Sequence, residues 1–316
     1  MIHLGLPLSH ARSGRWWPEN AVYAADFINN RYMRNGAEID RASAFSFSRS
    51  TPKLAEDSKG VWHHFGVDEP AITDRGLLLE PAATNMVPNP TMAGAVRGVV
   101  GAGGALPTGW TTTNFSPVEV LDTGWEDGLP YITLRLRYTN STGAVQYPCL
   151  IPAMGVPANL GEQWTASAFY KLLAGTWHPN PAAFLNVREA GTTQTYPSLS
   201  RPDDMTTRTR LALTWSISRA GTVTMEKRSI MFNAGAGDAG DLTVQICAPM
   251  LCKEPTASSV TLSAARAADL VSVDLPNSAS QLSVISTTGT TTISVVPGQM
   301  ALPLSSTETI KRVYAS

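Results

Sequence analysis

The sequence predicts an all-β protein: a jelly-roll β-sandwich with an extended, partly irregular N-terminal region and a small C-terminal β segment. Three observations carry this. Charged residues make up only 16% of the 316 residues, against about 25% in an average soluble domain. Gly and Pro number 25 and 22 and Ser and Thr are dense, whereas a helical protein would place Lys, Glu and Ala on its exposed faces. Alternating apolar and polar runs recur between turn signals, with no convincing 3.6-residue period in the central part.

Composition also narrows the function classes. Aromatic residues at 8% and apolar residues at 43% are too common for a disordered chain. A net charge of −1 supplies no electrostatic reason to bind nucleic acid or an anionic membrane. No window approaches the roughly 20 apolar residues of a membrane helix, so no membrane insertion is expected. Met1–Gly5 lacks a basic region followed by a long apolar stretch, so no signal peptide is expected and synthesis in a bacterial cytoplasm is. Three cysteines cannot complete a disulfide framework. Cys149, Cys247 and Cys252 lack zinc spacing and read as small buried hydrophobes.

Read in order, the chain divides into an N-terminal anchoring region (1–83), a jelly roll (84–252) and a C-terminal β segment (253–316). In the first, Trp16-Trp17-Pro18 is an exposed-looking aromatic pair. Ala21–Arg34 fits either one amphipathic helix, with Val22, Phe27 and Ile28 on one side, or an extended arm. Aromatics in an arm without its own core dock elsewhere, so Trp16, Trp17, Tyr23 and Phe27 are candidate anchoring or oligomer contacts. Ala44–Ser48 and Val61–Phe65 read as short strands, and Asp74-Arg75-Gly76 as a turn before Leu77–Glu80.

In the jelly roll, turn signals such as Asp127-Gly128, Asn140–Gly143 and Gly235–Gly240 separate strand-like runs. Tyr131–Tyr138 alternates cleanly, as do Trp164–Tyr170, Ala183–Val187, Arg210–Ile217, Thr222–Met225 and Leu242–Cys247. The spacing is that of an antiparallel sandwich. In the last segment Leu282–Ser286 and Thr290–Val295 flank Thr288-Gly289 as a hairpin. The tail Ile310–Ser316 reads as an added edge strand. No repeat of 20–50 residues is present.

Two resemblances enter here. Arg75-Gly76-Leu77-Leu78-Leu79-Glu80-Pro81-Ala82-Ala83-Thr84-Asn85 resembles a phrase of structural proteins of tailed bacteriophages and gene transfer agents, set before a lectin-like domain. Phe47-Ser48-Arg49-Ser50-Thr51 resembles the strand that precedes that phrase. Pro249-Met250-Leu251 followed by Arg266-Ala267-Ala268-Asp269 resembles the segment that closes it. Asn85–Pro90 followed by Gly109-Trp110 is also similar to the opening of jelly-roll carbohydrate-binding modules, and Trp164–Lys171 to one of their later strands. At Asn89–Gly94 the sequence lacks the acid through which those modules often hold a structural calcium. No cofactor is therefore expected, with calcium left as an open possibility, and no metal site is assigned.

The five histidines, His3, His10, His63, His64 and His178, show no metal-ligand spacing, and His63 and His64 point to opposite faces of a strand. Glu119 with Asp122, Glu126 with Asp127 and Asp203 with Asp204 lie in or near turns, and none reads as the fixed carboxylate pair of a glycosidase. No nucleophile elbow or phosphate loop is present. Flat aromatic faces beside hydrogen-bonding groups suit pyranose stacking, which makes Trp125, Tyr131, Tyr138, Tyr147, Trp177 and Tyr196 the candidate carbohydrate contacts. Arg49, Arg75 and Arg266 are read either as salt-bridge partners of Glu80 and Asp269 or as solvated strand ends.

The resemblance implies a non-enzymatic surface protein of a phage-like particle, a head spike, head fibre or tail fibre. Its partners would be other virion proteins (capsid, spike base or tail), further copies of itself as a homo-oligomer, and host surface polysaccharide. The alternatives are a purely structural decoration protein without sugar binding, separated by the absence of an aromatic-lined face, and a polysaccharide-degrading enzyme, which needs two carboxylates about 5–9 Å apart in a cleft.

Overall fold

In the central strands, alternation decides which side chains turn inward. Along Leu129–Thr139, the side chains of Ile132, Leu134, Leu136 and Tyr138 are buried, while Arg135 and Arg137 between them reach solvent. The computed structural model describes residues 15–176, 183–191, 194–200, 205–218, 223–295, 298–305 and 308–316. Among these, helix is confined to the single turn Arg41–Ala44.

Two antiparallel sheets form the sandwich. The first runs Gly98–Val99, Val118–Glu126, Leu129–Thr139, Ala239–Cys252, Gln163–Thr176 and Thr209–Ser216. The second runs Thr111–Thr113, Cys149–Ala158, Val223–Met231, Ala183–Ala190 and Gln194–Thr195, with Ser198–Ser200 also paired to Ala183–Ala190. Their inward faces enclose one core containing Trp110, Phe115, Tyr138, Trp164, Tyr170 and Phe184. Burying each such side chain contributes roughly 1.5–3 kcal/mol. All three cysteines are buried and unpaired.

A second module forms around the sandwich, and its composition differs from the sequence reading. Residues 1–83 and 253–316 were expected to be separate, yet the described parts of both share one core that includes Tyr23, Phe27, Phe45, Leu77, Val273 and Val313. Its main sheet runs Thr290–Ser294, Gln281–Ser286, Thr309–Ala315, Tyr23–Asp26, Arg31–Arg34 and Ala37–Ile39. Gly298–Ala301, Leu270–Leu275 and Phe45–Ser48 make a smaller sheet against it. The sandwich is thus inserted into a β module whose two halves are far apart in sequence.

Three local readings change with it. Ala21–Arg34 is neither helix nor arm but a hairpin, Tyr23–Asp26 and Arg31–Arg34. Its reversal is set by Asp26, whose carboxylate accepts from the Asn29 backbone N–H at 3.0 Å, and by Asn30 at φ 52°. The tail Thr309–Ala315 lies between Gln281–Ser286 and Tyr23–Asp26 and is therefore interior. Tyr23 and Phe27 are buried in their own module, which removes them as contacts to another subunit. Trp16 and Trp17 are half-buried and cover Ala21, Ala24, Met33 and Tyr314 of the same sheet.

The recurring phrases of the sequence converge in one buried ion cluster. Arg49 donates to Asp269 at 2.9 Å, and Lys53 lies 2.5 Å from Asp269 and 3.1 Å from Glu80. Arg266 pairs with Glu80 at 3.0 Å. Glu80 also accepts from the Ser259 backbone N–H at 2.8 Å and from its hydroxyl at 2.6 Å. Burial lowers the Lys53 ammonium pKa, and Glu80 and Asp269 push it back. Arg75 stands apart, on Glu56 at 3.0 Å. The salt-bridge reading thus applies to Arg49 and Arg266 but not to Arg75.

A candidate carbohydrate cleft at the module junction

The first sheet of the sandwich presents a divided outer face. One end is covered: Leu129, Phe169, Cys247 and Met250 pack against Leu54 and Trp62 of the hairpin Lys53–Glu56/Trp62–Phe65. The other end is open and carries ion pairs, Arg135 to Asp241 at 2.6 Å and Arg137 to Glu119 at 3.5 Å. Among the described residues, the side chains named on that open half are charged rather than aromatic. Tyr131 is half-buried, and its hydroxyl donates to Asp122 at 2.8 Å.

At the edge of the covered end the strand pair Val118–Glu126/Leu129–Thr139 turns through Asp127 (φ 49°) and Gly128 (φ 78°). Both left-handed conformations belong to the tight hairpin turn that Asp-Gly favours. This turn docks on the second module. The Trp62 backbone N–H donates to Asp127 O at 2.8 Å, and His64 Nε2 lies 3.2 Å from Gly128 O. A Cβ at Gly128 would stand 1.8 Å from the Trp62 carbonyl oxygen, so only glycine permits this approach. Arg208 braces the turn at 2.6 Å from Asp127.

Docking positions an aromatic pair. The register of the hairpin shifts between Val120 and Asp122, and Trp125 falls opposite Pro130, beyond the pair Thr123–Ile132 that ends the core contacts. Trp125 therefore stands at the rim and is 56% exposed. The His64 ring lies 5.4 Å from the Trp125 ring at a 59° tilt. The two belong to different modules, and together they border an open cleft of about 270 Å3. Leu54, Val260 and Leu262 give it an apolar wall, and Thr91, Thr261 and Ser263 give it hydroxyls. Lys53 and Arg266 of the ion cluster complete the lining. A small, mainly apolar recess with an exposed indole and a few hydroxyls is the chemistry that stacks on and orients a sugar ring.

Of the five predicted carbohydrate contacts among the described residues, Trp125 alone lines this cleft. Tyr138 is 2% exposed, stacked on Phe115 and Phe232 inside the sandwich, and cannot meet a ligand. Its alternating strand was read correctly, but which face was inward was not. Tyr147 and Tyr196 are exposed but do not line the cleft, and Tyr196 lies under Arg228 at 5.8 Å. Trp177 lies outside the described residues, as do His3, His10, His178, Asp203 and Asp204. Sequence reasoning passed over His64, Thr91 and the 260–263 segment. The one available signal was His64 on an exposed strand face opposite His63, and His63 pairs with Asp57 at 2.9 Å.

Among the described residues no cluster of three or more His, Cys, Asp or Glu side chains is placed to hold a metal ion. Among them, no helix is long and apolar enough to cross a membrane. Among the described residues, no Asp or Glu lines the cleft.

No protein-family model matches the chain, and no curated protein matches it. Solved structures with a similar arrangement include the tripod from the baseplate of bacteriophage Tuc2009, at 14% identity and TM-score 0.36, covering 69% of this chain and 65% of that one. They also include the xylan-binding domain CBM22-1 of Paenibacillus barcinonensis Xyn10C, at 16% identity and TM-score 0.29, covering 55% of this chain and 94% of that one. A third is a carbohydrate-binding module of the β-sandwich superfamily, at 12% identity and TM-score 0.35, covering 74% and 86%. This chain thus spans just under two thirds of the baseplate protein's length. Identity and score are too low to transfer a function from any of them.

Proposed function

We propose that this chain is a non-enzymatic structural and adhesin component of a phage-like particle that binds host surface glycan. The observation that carries the glycan half is the exposed Trp125, held against His64 over a small apolar cleft by a turn that docks one module on the other. Particle association is supported by the three sequence phrases resembling phage and gene-transfer-agent proteins, whose charged residues meet in the buried cluster. Among the described residues that line the cleft none is a carboxylate, whereas glycoside hydrolysis uses a pair of them. One shallow site per copy suffices on a particle, because weak contacts gain by avidity.

A purely structural role is the second reading. It is favoured by the ion pairs that the described residues place on the open half of the sandwich face. A glycan array probed with the whole chain and with Trp125→Ala separates the two. The adhesin reading expects binding by the parent chain that Trp125→Ala abolishes. Absence of binding under multivalent display would leave the structural role alone standing.

A further inference from the structure

Residues 275–307 contain no Asp, Glu, Lys, Arg or His, in a chain of which 16% is charged. This stretch supplies Thr290–Ser294, the terminal strand of the second module's main sheet, and Gly298–Ala301, a terminal strand of the smaller sheet. Edge strands are commonly guarded by charges, Pro or a bulge, because their unpaired backbone invites another strand. The opposite edge of the main sheet follows that rule: Ala37–Ile39 carries Glu38, which Arg31 and Trp16 engage. Thr290–Ser294 has no such guard. It pairs with Gln281–Ser286 along its whole length without a bulge, and Thr290, Thr291, Thr292 and Ser294 are exposed.

The ladder shows which backbone groups are free. At one end the Ser286 N–H donates to the Gly289 carbonyl at 2.8 Å, and at the other the Val295 N–H donates to the Ser280 carbonyl at 3.1 Å. Bonded and non-bonded pairs alternate along an antiparallel ladder, so Val284–Thr291 and Leu282–Ile293 are the bonded pairs between those ends. The N–H and C=O of Thr290, Thr292 and Ser294 therefore point to the open side. Among the described residues none of them has another backbone partner. The strand is complementary to itself. Run antiparallel about a two-fold axis at Thr292, it sets Thr292 opposite Thr292 and Thr290 opposite Ser294, and each outward N–H meets a carbonyl. No charged side chain lies in the strand or its flanks, so no like charges meet across the axis, and Thr–Thr pairs across strands are favourable. A partner selected by charge has no counterpart on this edge, whereas a second copy matches it in register and polarity.

We propose that Thr290–Ser294 pairs antiparallel with the same strand of a second copy of this chain, joining two main sheets across a two-fold axis. The contact is small, so dimerisation depends on concentration. It uses no residue of the junction cleft and stands apart from the glycan reading.

The test is sedimentation velocity of the whole chain from about 5 μM to about 500 μM. The parent should move from monomer towards dimer across that range. Thr292→Lys and Thr292→Asp each place like charges on the axis and should weaken dimerisation about tenfold. Their thermal melts should match the parent's, since the side chain is exposed. An equimolar mixture of the two variants sets Lys opposite Asp and should restore the dimer. A parent that stays monomeric throughout would overturn the proposal and leave the edge to a different partner. Variants that dimerise as the parent does, or a mixture no more dimeric than either variant alone, would put self-association elsewhere and overturn it equally.

Discussion

Replacing Asp269 by Asn isolates what the buried cluster contributes. The carboxylate accepts from Arg49 Nη1 at 2.9 Å, Lys53 Nζ at 2.5 Å and the Glu80 backbone N–H at 2.7 Å, with its side chain 1% exposed. Asn keeps the shape and one acceptor oxygen, but turns an NH2 toward a cation and removes the charge that two cations share. Removing one partner of a buried pair costs about 3–5 kcal/mol. Two lost charge-assisted hydrogen bonds at about 1.5–3 kcal/mol each give the same range. Guanidinium unfolding followed by tryptophan fluorescence reads the loss. In Arg49→Met/Asp269→Leu both partners of one bridge are apolar, and Lys53 keeps Glu80 at 3.1 Å. That variant should recover much of the deficit, because replacing a buried pair with well-packed apolar residues is often neutral. A loss below about 1 kcal/mol for Asp269→Asn, the value of an exposed pair, would refute the reading that Asp269 shares its charge with two buried cations.

Further expectations concern the two cores and the docked turn. Lys227 is fully buried, its Nζ donates to the Ser167 carbonyl at 3.0 Å, and burial lowers its ammonium from the usual 10.5 to about 7. Between pH 7 and 9 the folded protein therefore holds fewer protons than the unfolded chain, and stability rises with pH by up to about 1.4 kcal/mol per unit. Lys227→Met should flatten that slope and raise the denaturation midpoint at pH 7, and an unchanged slope would contradict it. The window stops near 9, where Cys247 and Cys252, pushed from 9.0 to about 12 by burial, begin to act with the opposite sign. Gly128→Ala should cost at least about 2 kcal/mol and weaken sugar binding, since the added Cβ meets the Trp62 carbonyl. Thermal melts that superpose on the parent's would count against the docked turn. Trp16→Ala/Trp17→Ala should cost roughly 1–3 kcal/mol by uncovering Ala24 and Met33, and normal incorporation of that variant into particles would exclude an anchoring role.

Much of the strand content was legible because period-2 alternation is local. Tyr131–Tyr138 and Leu282–Ser286 fall within the strands Leu129–Thr139 and Gln281–Ser286, and Asp127-Gly128 announced its own turn. The second module was not legible, because its sheet pairs Tyr23 with Ala315 and Asp26 with Arg312, a separation no local pattern encodes. The Ala21–Arg34 hairpin was missed because its turn depends on the Asp26 carboxylate and an Asn in a left-handed conformation, while its apolar spacing also suits a helix. In the candidate cleft, Trp125 was found from its loop context. His64 and Thr261 were not, since they share a cleft with Trp125 only once a turn from one module seats on a strand of the other. Tyr138 failed for the complementary reason: alternation identifies the strand but not which of its faces meets the second sheet.

The most direct test watches the indole N–H resonances of the eight tryptophans, with Trp125 assigned through Trp125→Phe, while a glycan identified by array is added. Glycan binding in the junction cleft predicts that the Trp125 indole signal moves with ligand concentration, while those of the buried Trp62, Trp110 and Trp164 move least. A saturable shift that spares Trp125, or glycan binding that survives unchanged in Trp125→Phe and Trp125→Ala, would contradict it.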